Sequence, residues 1–377
     1  KELWVPLKSG ICCPVFWTGV EPMNKDPRVQ AATAHWSGRF VSNGVPLADF
    51  QDVTNSIDRW ETWCEAWSVR GAIHEELGRE SLAGGFKLSA GQHLTVAGVC
   101  YHFGKFLFVQ DPDQMQIAHR KAVECRNLAL ENLSPAGERV AIPYEGKTLY
   151  GNLRKPIGTD RPSVVVMAMG LDSAKEEMET NEGVFLERGM ATLAFDGPGQ
   201  GEAEYDFAIC PEYERPVGAV IEWLSKRTDI NSENLGIWGV SLGGYYAPRA
   251  AAFDHRIKAC ISLTGPFDLG ACFDNMPGLT QAAFIHRSKA GSTNAAKKIA
   301  ARMSLRGIAE KIVCPLYVVA GKLDRVIPHE HALQLADSAT GEVTLNLIED
   351  GGHVANNRIY KYRSQTADWM ANQLNIY

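Results

Sequence analysis

The spacing of hydrophobic positions divides this 377-residue chain into two parts. In residues 27–137 apolar side chains recur every three to four positions, which is the repeat of one face of an α-helix. Trp60, Trp63 and Trp67 have this spacing, and a second amphipathic run covers 89–109. We therefore predict several helices, whose aromatic side chains pack them together or, alternatively, line a pocket for a flat substrate.

In the rest of the chain the pattern changes to short apolar runs that end at turn residues. Two alternating runs, 140–143 and 148–153, flank Glu145 and Gly146 and predict a β-hairpin. Further predicted strands are 163–169, 191–195, 235–239, 259–263, 316–320 and 344–348, and predicted helices are 176–188, 212–227, 242–253, 330–339 and 360–374. This alternation predicts an α/β fold with a mostly parallel sheet buried on both faces. Residues 266–312 show no strand pattern and are predicted to be a helical insertion.

These patterns give three predicted segments. Residues 1–26 form an irregular arm that lacks the charged and apolar regions of a signal peptide. Residues 27–137 form the helical segment, and residues 138–377 form the α/β domain. The length of the chain is consistent with two to three domains of ordinary size.

Composition excludes several classes of protein. The chain has 38 Lys and Arg against 44 Asp and Glu, a net charge of −6, so we predict no nucleic-acid partner. No run of about 18 apolar residues predicts a membrane span. The nine cysteines are odd in number and scattered, without a C-x-x-C pair, which is typical of reduced thiols. We therefore predict a cytoplasmic protein without a structural zinc site.

Gly239, Ser241 and Gly243 form a G-x-S-x-G motif between a predicted strand and a predicted helix. A serine in such a tight turn exposes its oxygen, and the glycines permit a strained backbone and a close helix–strand approach. The oxygen also lies near a helix N-terminus, where the dipole favours developing negative charge. We predict that Ser241 is a nucleophile and not part of a plain strand–turn–helix junction.

A nucleophilic serine needs a base, and the base needs an acid that orients it. On this type of fold the chain order is Ser, acid, His. Asp324 and His353 each follow a predicted strand directly, so both are expected at the carboxyl edge of the sheet. We predict that they complete a catalytic triad with Ser241.

Other residues near these positions remain alternatives. His329 and His331 are possible bases, and Asp350 is a possible acid. The two histidines are two positions apart and would diverge on a helix, so we predict no metal site there. The glycine-rich stretch 196–201 lacks the Lys-Ser/Thr of a P-loop and predicts a structural turn.

An oxyanion hole requires two backbone N–H groups. The N–H of Leu242, directly after the nucleophile, is one candidate. The loop after strand 163–169 supplies the second, for which we choose Leu171, with Gly170 allowing the backbone to turn inward. Asp172 and Ser173 are predicted to cap the helix that follows.

Taken together, these motifs resemble the α/β-hydrolase superfamily over about 138–377. The helices before that region and the sequence 170–177 resemble, more narrowly, the group that contains bacterial 2,6-dihydroxypseudooxynicotine hydrolases, whose fungal relatives shorten polyketide chains. The resemblance implies hydrolysis of a carbon–carbon bond beside a ketone, in an aryl or polyketide-like substrate, often by a homodimer. It also implies that the N-terminal helices form a cap domain, which covers the active site together with 266–312. In the nicotine-pathway member of this group, an additional Glu of that insertion belongs to the active site. The corresponding stretch 267–274 contains no Glu, so the resemblance implies the general scaffold but not the nicotine-pathway substrate.

We therefore predict a serine-dependent carbon–carbon hydrolase that acts on a small molecule and needs no metal or organic cofactor. The same triad serves carboxylesterases and amidases, so these remain an alternative, as does a non-catalytic binder with a hydrolase fold. Direct attack by Ser241 and activation of water by His353 also both remain open. Candidate pocket residues are Gly170, Tyr245, Phe267 and Phe273.

Overall fold

A computed structural model describes residues 25–376 and contains an eight-stranded sheet with helices on both faces. The strands are β1 Gly137–Tyr144, β2 Lys147–Arg154, β3 Ser163–Ala168, β4 Ala191–Phe195, β5 Asn231–Val240, β6 Ile257–Leu263, β7 Leu316–Gly321 and β8 Val343–Ile348. Their order in the sheet is β1-β2-β4-β3-β5-β6-β7-β8. Strand β2 pairs antiparallel with β1 and β4, and the remaining pairs are parallel. This sheet confirms the predicted α/β fold.

Between residue 25 and the sheet, the structure contains five α-helices: α1 Pro27–Ser42, α2 Leu47–Ser56, α3 Trp63–Ala83, α4 Lys87–Lys105 and α5 Pro112–Leu130. The later helices are α6 Glu179–Leu186, α7 Glu214–Leu224, α8 Gly243–Phe253, α9 Leu269–Cys272, α10 Gly278–Arg287, α11 Thr293–Arg302, α12 Glu330–Ser338 and α13 Arg363–Gln373. Helices α9 to α11 lie in the predicted insertion 266–312. The helical region before the sheet and the helical insertion are therefore confirmed, and together with the sheet they define an α/β-hydrolase fold.

The largest shift of a strand boundary is in β5, which begins at Asn231 and not at Leu235. The polar start of this strand finds partners that the hydrophobic pattern does not reveal. The side-chain amide of Asn234 donates hydrogen bonds to the Ser163 hydroxyl at 2.7 Å and to the Leu374 carbonyl at 2.6 Å. Because its polar groups are satisfied, this segment pairs with β3 although it carries few apolar side chains.

Asp-Pro pairs determine where two of the N-terminal helices begin. The carboxylates of Asp26 and Asp111 accept hydrogen bonds from the first turns of α1 and α5. Pro27 and Pro112 follow at the first helical position, where proline costs no backbone hydrogen bond. The same two residue types that interrupt a helix thus also start one.

Aromatic side chains fill the interior of the N-terminal helical region. Phe40 of α1 stacks on Phe103 of α4 with ring centroids 3.8 Å apart, and it contacts Trp63, Trp67 and Phe106. All five side chains are buried. Most of the aromatic residues here therefore have the packing role that the helical spacing predicts.

Buried ion pairs join the N-terminal helices to the α/β region. Arg39 of α1 contacts Asp172 at 2.6 Å and Glu177 at 2.7 Å, and these three side chains are nearly inaccessible to solvent. Lys105 of α4 contacts Glu204 at 2.7 Å, also in the interior. The two regions are thus joined by specific charged contacts as well as by apolar packing.

The remaining sequence predictions concern the N-terminal arm, the domain boundary, membrane spans and the cysteines. Residues 1–24 of the predicted arm lie outside the described residues. The division into domains stays a prediction, although β1 begins at Gly137, next to the predicted boundary. None of the described helices combines the length and the hydropathy needed to cross a membrane. The cysteines within residues 25–376 are free thiols.

Candidate active site

Ser241 lies in the tight turn between β5 and α8, where the sequence motif places it. Its backbone has a φ of 55°, in the left-handed region that non-glycine residues seldom adopt. A Cβ atom on Gly239 would lie 2.0 Å from the Gly243 carbonyl oxygen, and one on Gly243 would lie 2.1 Å from that of Ala168. The two glycines therefore allow α8 to start directly against the ends of β3 and β5.

The structure brings the three predicted triad residues together at the carboxyl edge of the sheet. The Ser241 hydroxyl oxygen lies 2.9 Å from Nε2 of His353. Nδ1 of the same ring lies 2.8 Å from Oδ2 of Asp324. Asp324 follows β7 and His353 follows β8, so parallel strand ends position all three groups. This arrangement can remove the proton from a serine hydroxyl and stabilise the imidazolium that forms.

Asp324 is held in its ionised form. Burial by itself would raise the pKa of this carboxyl group, but the neighbouring His353 and two backbone N–H groups lower the pKa below its usual value. Val326 and Ile327 donate these hydrogen bonds to Oδ1 at 2.7 and 3.0 Å. Oδ2 is then left to accept a hydrogen bond from Nδ1–H of His353, which leaves Nε2 as the acceptor for Ser241.

The loop that carries His353 has a strained backbone. Val354 and Ala355 have φ angles of 57° and 49°. A β-branched residue in this region costs on the order of 1–3 kcal/mol, so the surrounding structure must impose the conformation. Hydrogen bonds from the Ala355 N–H to the Gly352 carbonyl and from the Gly352 N–H to the Asn357 side chain close the loop. The strain thus lies directly beside the candidate base.

The two backbone N–H groups predicted for the oxyanion hole lie on the residue after Ser241 and on the loop after β3. Within the described residues, the amides of Leu242 and Leu171 donate no hydrogen bond. Gly170 brings its loop against the nucleophile, because a Cβ atom there would lie only 3.3 Å from Cβ of Ser241. Leu242 directly follows the serine and Leu171 directly follows Gly170, so both amides lie in segments next to Ser241, and their role as an oxyanion hole stays a prediction.

Residues that the sequence analysis did not identify hold this loop. The side-chain amide of Gln200 donates hydrogen bonds to the carbonyls of Met169 and Gly170 at 2.6 and 2.7 Å, and its oxygen accepts one from Tyr213. The guanidinium of Arg287 donates to the Leu171 carbonyl. The turn 196–201 thus has a structural role, as predicted. It anchors residues 169–171 after β3, here called the oxyanion loop. In the sequence, Gln200 was the one polar amide of the turn 196–201 that could have indicated this anchoring role. Nothing in the sequence around Arg287 indicated that it contacts the loop.

Asp172 and Ser173 have a different role from the predicted helix cap. Their side chains bind the guanidinium of Arg39 at 2.6 and 3.1 Å. Arg39 also contacts Glu177, so one buried arginine holds both ends of the segment 172–177. The contact with helix α1, and not local turn chemistry, determines where these polar side chains point.

The alternative catalytic residues lie in other environments. Asp350 forms ion pairs with Arg358 and Lys361 at the surface. The nearest acidic partner of His329 is the exposed Glu330, at 3.6 Å. The ring of His331 lies 3.2 Å from the sulfur of Cys272. None of these side chains hydrogen-bonds to Ser241 in the described part of the chain.

Three of the predicted pocket residues are packed away from the serine. Tyr245 is fully buried in α8, and its hydroxyl donates to the Pro211 carbonyl at 2.9 Å. Phe267 and Phe273 are also buried, and Phe273 packs against Phe284 of α10. They lie in the hydrophobic core, because the insertion uses its aromatic side chains to attach to the α/β region. Of the four candidates, only Gly170 borders Ser241.

Side chains from α1 form a wall of the site. Trp36 contacts the ring of His353 with centroids 5.7 Å apart, and His35 stacks near it at 6.2 Å. Burial and the nearby His353 lower the pKa of His35 to about 4, so this ring is neutral at neutral pH. The sequence did not indicate that His35 and Trp36 border the active site, because their helical spacing is the same as that of the core residues.

A small cavity lies directly at Ser241, and two larger pockets lie next to it. The cavity that Ser241, His353 and Trp36 line has a volume of about 30 Å³, enough for roughly two water molecules. A pocket of about 450 Å³ also contacts His353, and one of about 620 Å³ also contacts Trp36. The larger pocket is bounded by α1 and by α10 of the insertion. Both helical additions to the sheet therefore border the space next to the triad.

Within the described part of the chain, one buried group of residues has the composition of a metal site. His119, Glu176 and Asp196 place one ligand atom each within 4.8 Å of one another. The ammonium group of Lys175, however, lies 2.6 Å from both carboxylates. A lysine cation thus already provides the positive charge that a metal ion would bring, so this group is an ion-pair network.

The fold, the serine on its strand–helix turn and the Ser–His–Asp hydrogen bonds define a serine hydrolase of the α/β-hydrolase fold. The family model described as the prolyl oligopeptidase family matches residues 177–376. The chain therefore belongs to this family of α/β-hydrolases.

Individual relatives extend the similarity to the N-terminal helices. The chain is 33% identical to 2,6-dihydropseudooxynicotine hydrolase of Paenarthrobacter nicotinovorans, over 88% of this chain and 90% of that protein. A crystal structure of 2,6-dihydroxy-pseudo-oxynicotine hydrolase superimposes with a TM-score of 0.83 at 32% identity, covering 90% of this chain and 95% of the other. Hydrolyase ccsE of Aspergillus clavatus is 31% identical, over 59% of this chain and 57% of that protein. The chain is thus similar to this bacterial hydrolase along most of its length.

Proposed function

We propose that this protein hydrolyses a carbon–carbon bond adjacent to a ketone in an aryl-ketone or polyketide-like substrate. The observation that carries the proposal is the hydrogen-bonded chain from Ser241 through His353 to Asp324, beside two free backbone amides. The choice of a carbon–carbon bond is supported by similarity to 2,6-dihydropseudooxynicotine hydrolase, which includes the helices that border the site.

The first half of the reaction forms an acyl-enzyme. Nε2 of His353 takes the proton of Ser241, and the serine oxygen forms a bond to the substrate carbonyl carbon. The N–H groups of Leu242 and Leu171 stabilise the resulting oxyanion. Asp324 holds the ring in the orientation that this proton transfer requires and balances the positive charge that His353 acquires.

Collapse of the oxyanion breaks the carbon–carbon bond. The bonding electron pair leaves with the departing carbon, which must delocalise it onto a second carbonyl group or a hydroxylated ring. The proton held by His353 then passes to the departing carbon. In the second half, His353 deprotonates a water molecule that attacks the acyl group, and the acid product and Ser241 are released.

Replacement of Ser241 tests the assignment of the nucleophile. We expect Ser241→Ala to reduce turnover by several orders of magnitude, because the acyl-enzyme can no longer form. A fluorophosphonate probe should label the wild-type protein and not this variant. Turnover near the wild-type rate in Ser241→Ala would instead support direct attack by water activated at His353.

A substrate panel tests the type of bond. Aryl ketones and 1,3-diketones are compared with p-nitrophenyl esters of matched acyl groups, with kcat/KM as the readout. We expect the wild-type protein to cleave the diketones. Fast hydrolysis of the esters without any cleavage of ketones would make the protein an esterase that uses the same triad.

A further inference from the structure

The substrate of the reaction proposed above does not fit beside the serine alone. The cavity at Ser241 holds roughly two water molecules, so the body of any aryl or polyketide-like molecule must lie in an adjoining pocket. The pocket of about 620 Å³, here called the outer pocket, has a size typical of sites for small organic ligands. Its apolar wall includes Trp60, Leu107, Val109 and Leu279.

The outer pocket lies on the side of the candidate base. Its lining includes His35 and Trp36, whose rings contact the ring of His353. His353 delivers the proton to the departing carbon, so the leaving group must be on its side of the scissile bond. The outer pocket is therefore positioned for the leaving group and not for the acyl group.

The charge of the outer pocket is positive. Arg325, directly after the candidate acid, lines both this pocket and the neighbouring pocket at His353. Among the described residues, no Asp or Glu lines either of them. Arg28 also borders the outer pocket, but its guanidinium contacts Asp26 at 2.6 Å and Glu61 at 2.8 Å. Within residues 25–376, by contrast, Arg325 forms no ion pair.

We propose that the outer pocket binds the leaving group of the substrate as an enolate or phenolate, and that Arg325 is the residue that recognises its negative oxygen. The inference rests on the proposed carbon–carbon cleavage, in which the departing electron pair is delocalised onto such an oxygen. An arginine matches this task, because its guanidinium is always charged and presents several N–H donors in one plane. The apolar wall offers a surface against which the ring or chain that carries the oxygen can pack, while Arg325 lies at the exposed rim.

Binding of a leaving-group mimic tests Arg325 without any turnover. The ring compound 1,3-cyclohexanedione is an enolate at neutral pH, and cyclohexanone is its neutral counterpart. We expect calorimetric titration of the wild-type protein to show at least tenfold tighter binding of the enolate. In Arg325→Met this preference should fall to within about twofold. The matched control is Lys322→Met, which also removes one positive charge nearby. Lys322 lines neither pocket and pairs with Glu349, so this variant should retain the preference.

Turnover of a diketone separates this inference from the proposed function. If the wild-type protein cleaves the diketone, we expect Arg325→Met to lower kcat at least tenfold, while the rate of fluorophosphonate labelling of Ser241 stays unchanged. Equal enolate binding by the wild-type protein and Arg325→Met would overturn the role of Arg325. A wild-type protein that binds the enolate through Arg325 but hydrolyses only esters would refute the carbon–carbon reaction and leave the anion-binding pocket in place.

Discussion

The buried arginine at the junction of the N-terminal helices and the sheet allows a quantitative prediction. Arg39 contacts Asp172, Ser173 and Glu177, and its side chain is only 8% exposed. Replacement by Met keeps most of the apolar volume and leaves the two carboxylates in the interior without their main partner. Breaking a buried ion pair in this way costs about 3–5 kcal/mol. With about 2.1 cal/mol/K of unfolding entropy per residue over the chain, that loss lowers Tm by about 4–6 °C.

Arg28 on the same helix provides the matched control. Its side chain is 47% exposed, and its ion pairs with Asp26 and Glu61 lie at the surface. Exposed pairs contribute about 0–1 kcal/mol, so Arg28→Met should change the free energy of unfolding by much less than Arg39→Met. Urea denaturation followed by circular dichroism measures both variants. Equal losses of stability in the two variants would refute the reasoning, because burial would then not determine the strength of these pairs.

The same prediction has a defined pH dependence. Burial by itself would raise the pKa of Glu177, but the charge of Arg39 more than offsets this and holds the pKa well below the ordinary value of 4.5. A carboxyl group whose pKa is lowered by folding stabilises the protein fully above its unfolded pKa and loses that contribution as the pH falls. The difference in stability between the wild-type protein and Arg39→Met should therefore shrink in buffers below about pH 4.5. A constant difference would show that packing, and not charge, accounts for the effect.

Two further predictions concern the active site. Asp324→Asn should lower kcat by about four orders of magnitude, because the amide no longer holds His353 in the required tautomer, whereas Asp350→Asn, at a surface ion pair, should leave kcat unchanged. Comparable losses in both variants would contradict the assignment of the acid. Gln200→Leu should lower kcat at least tenfold without a matching change in KM, since two carbonyls of the oxyanion loop lose their donor. The exposed Gln365→Leu is the control, and wild-type kcat in Gln200→Leu would show that the loop holds its position without this anchor.

The fold and the triad could be predicted because their signals are local. A strand that ends in turn residues places the next side chain at the edge of the sheet, so Asp324 and His353 could be found from the two strands that precede them. The motif around Ser241 also predicts its local backbone geometry. Gly239 and Gly243 are needed there because a side chain at either position would clash with the backbone where α8 meets the sheet. The beginning of β5 was missed because its polar residues are satisfied by contacts distant in the sequence.

The sequence by itself determined the type of fold, the candidate triad and the candidate oxyanion amides, because each depends on neighbouring residues within one turn or strand end. Only the tertiary structure decided which side chains anchor the oxyanion loop and which ones line the pockets. Arg39 and Glu177, for example, are 138 positions apart, and no pattern along the chain links them. The aromatic residues Tyr245, Phe267 and Phe273 were predicted to line the pocket but lie in the core. The spacing of aromatic residues along the chain is the same for both roles, so the sequence does not distinguish them. Burial, which depends on how the helices dock on the sheet, makes that choice.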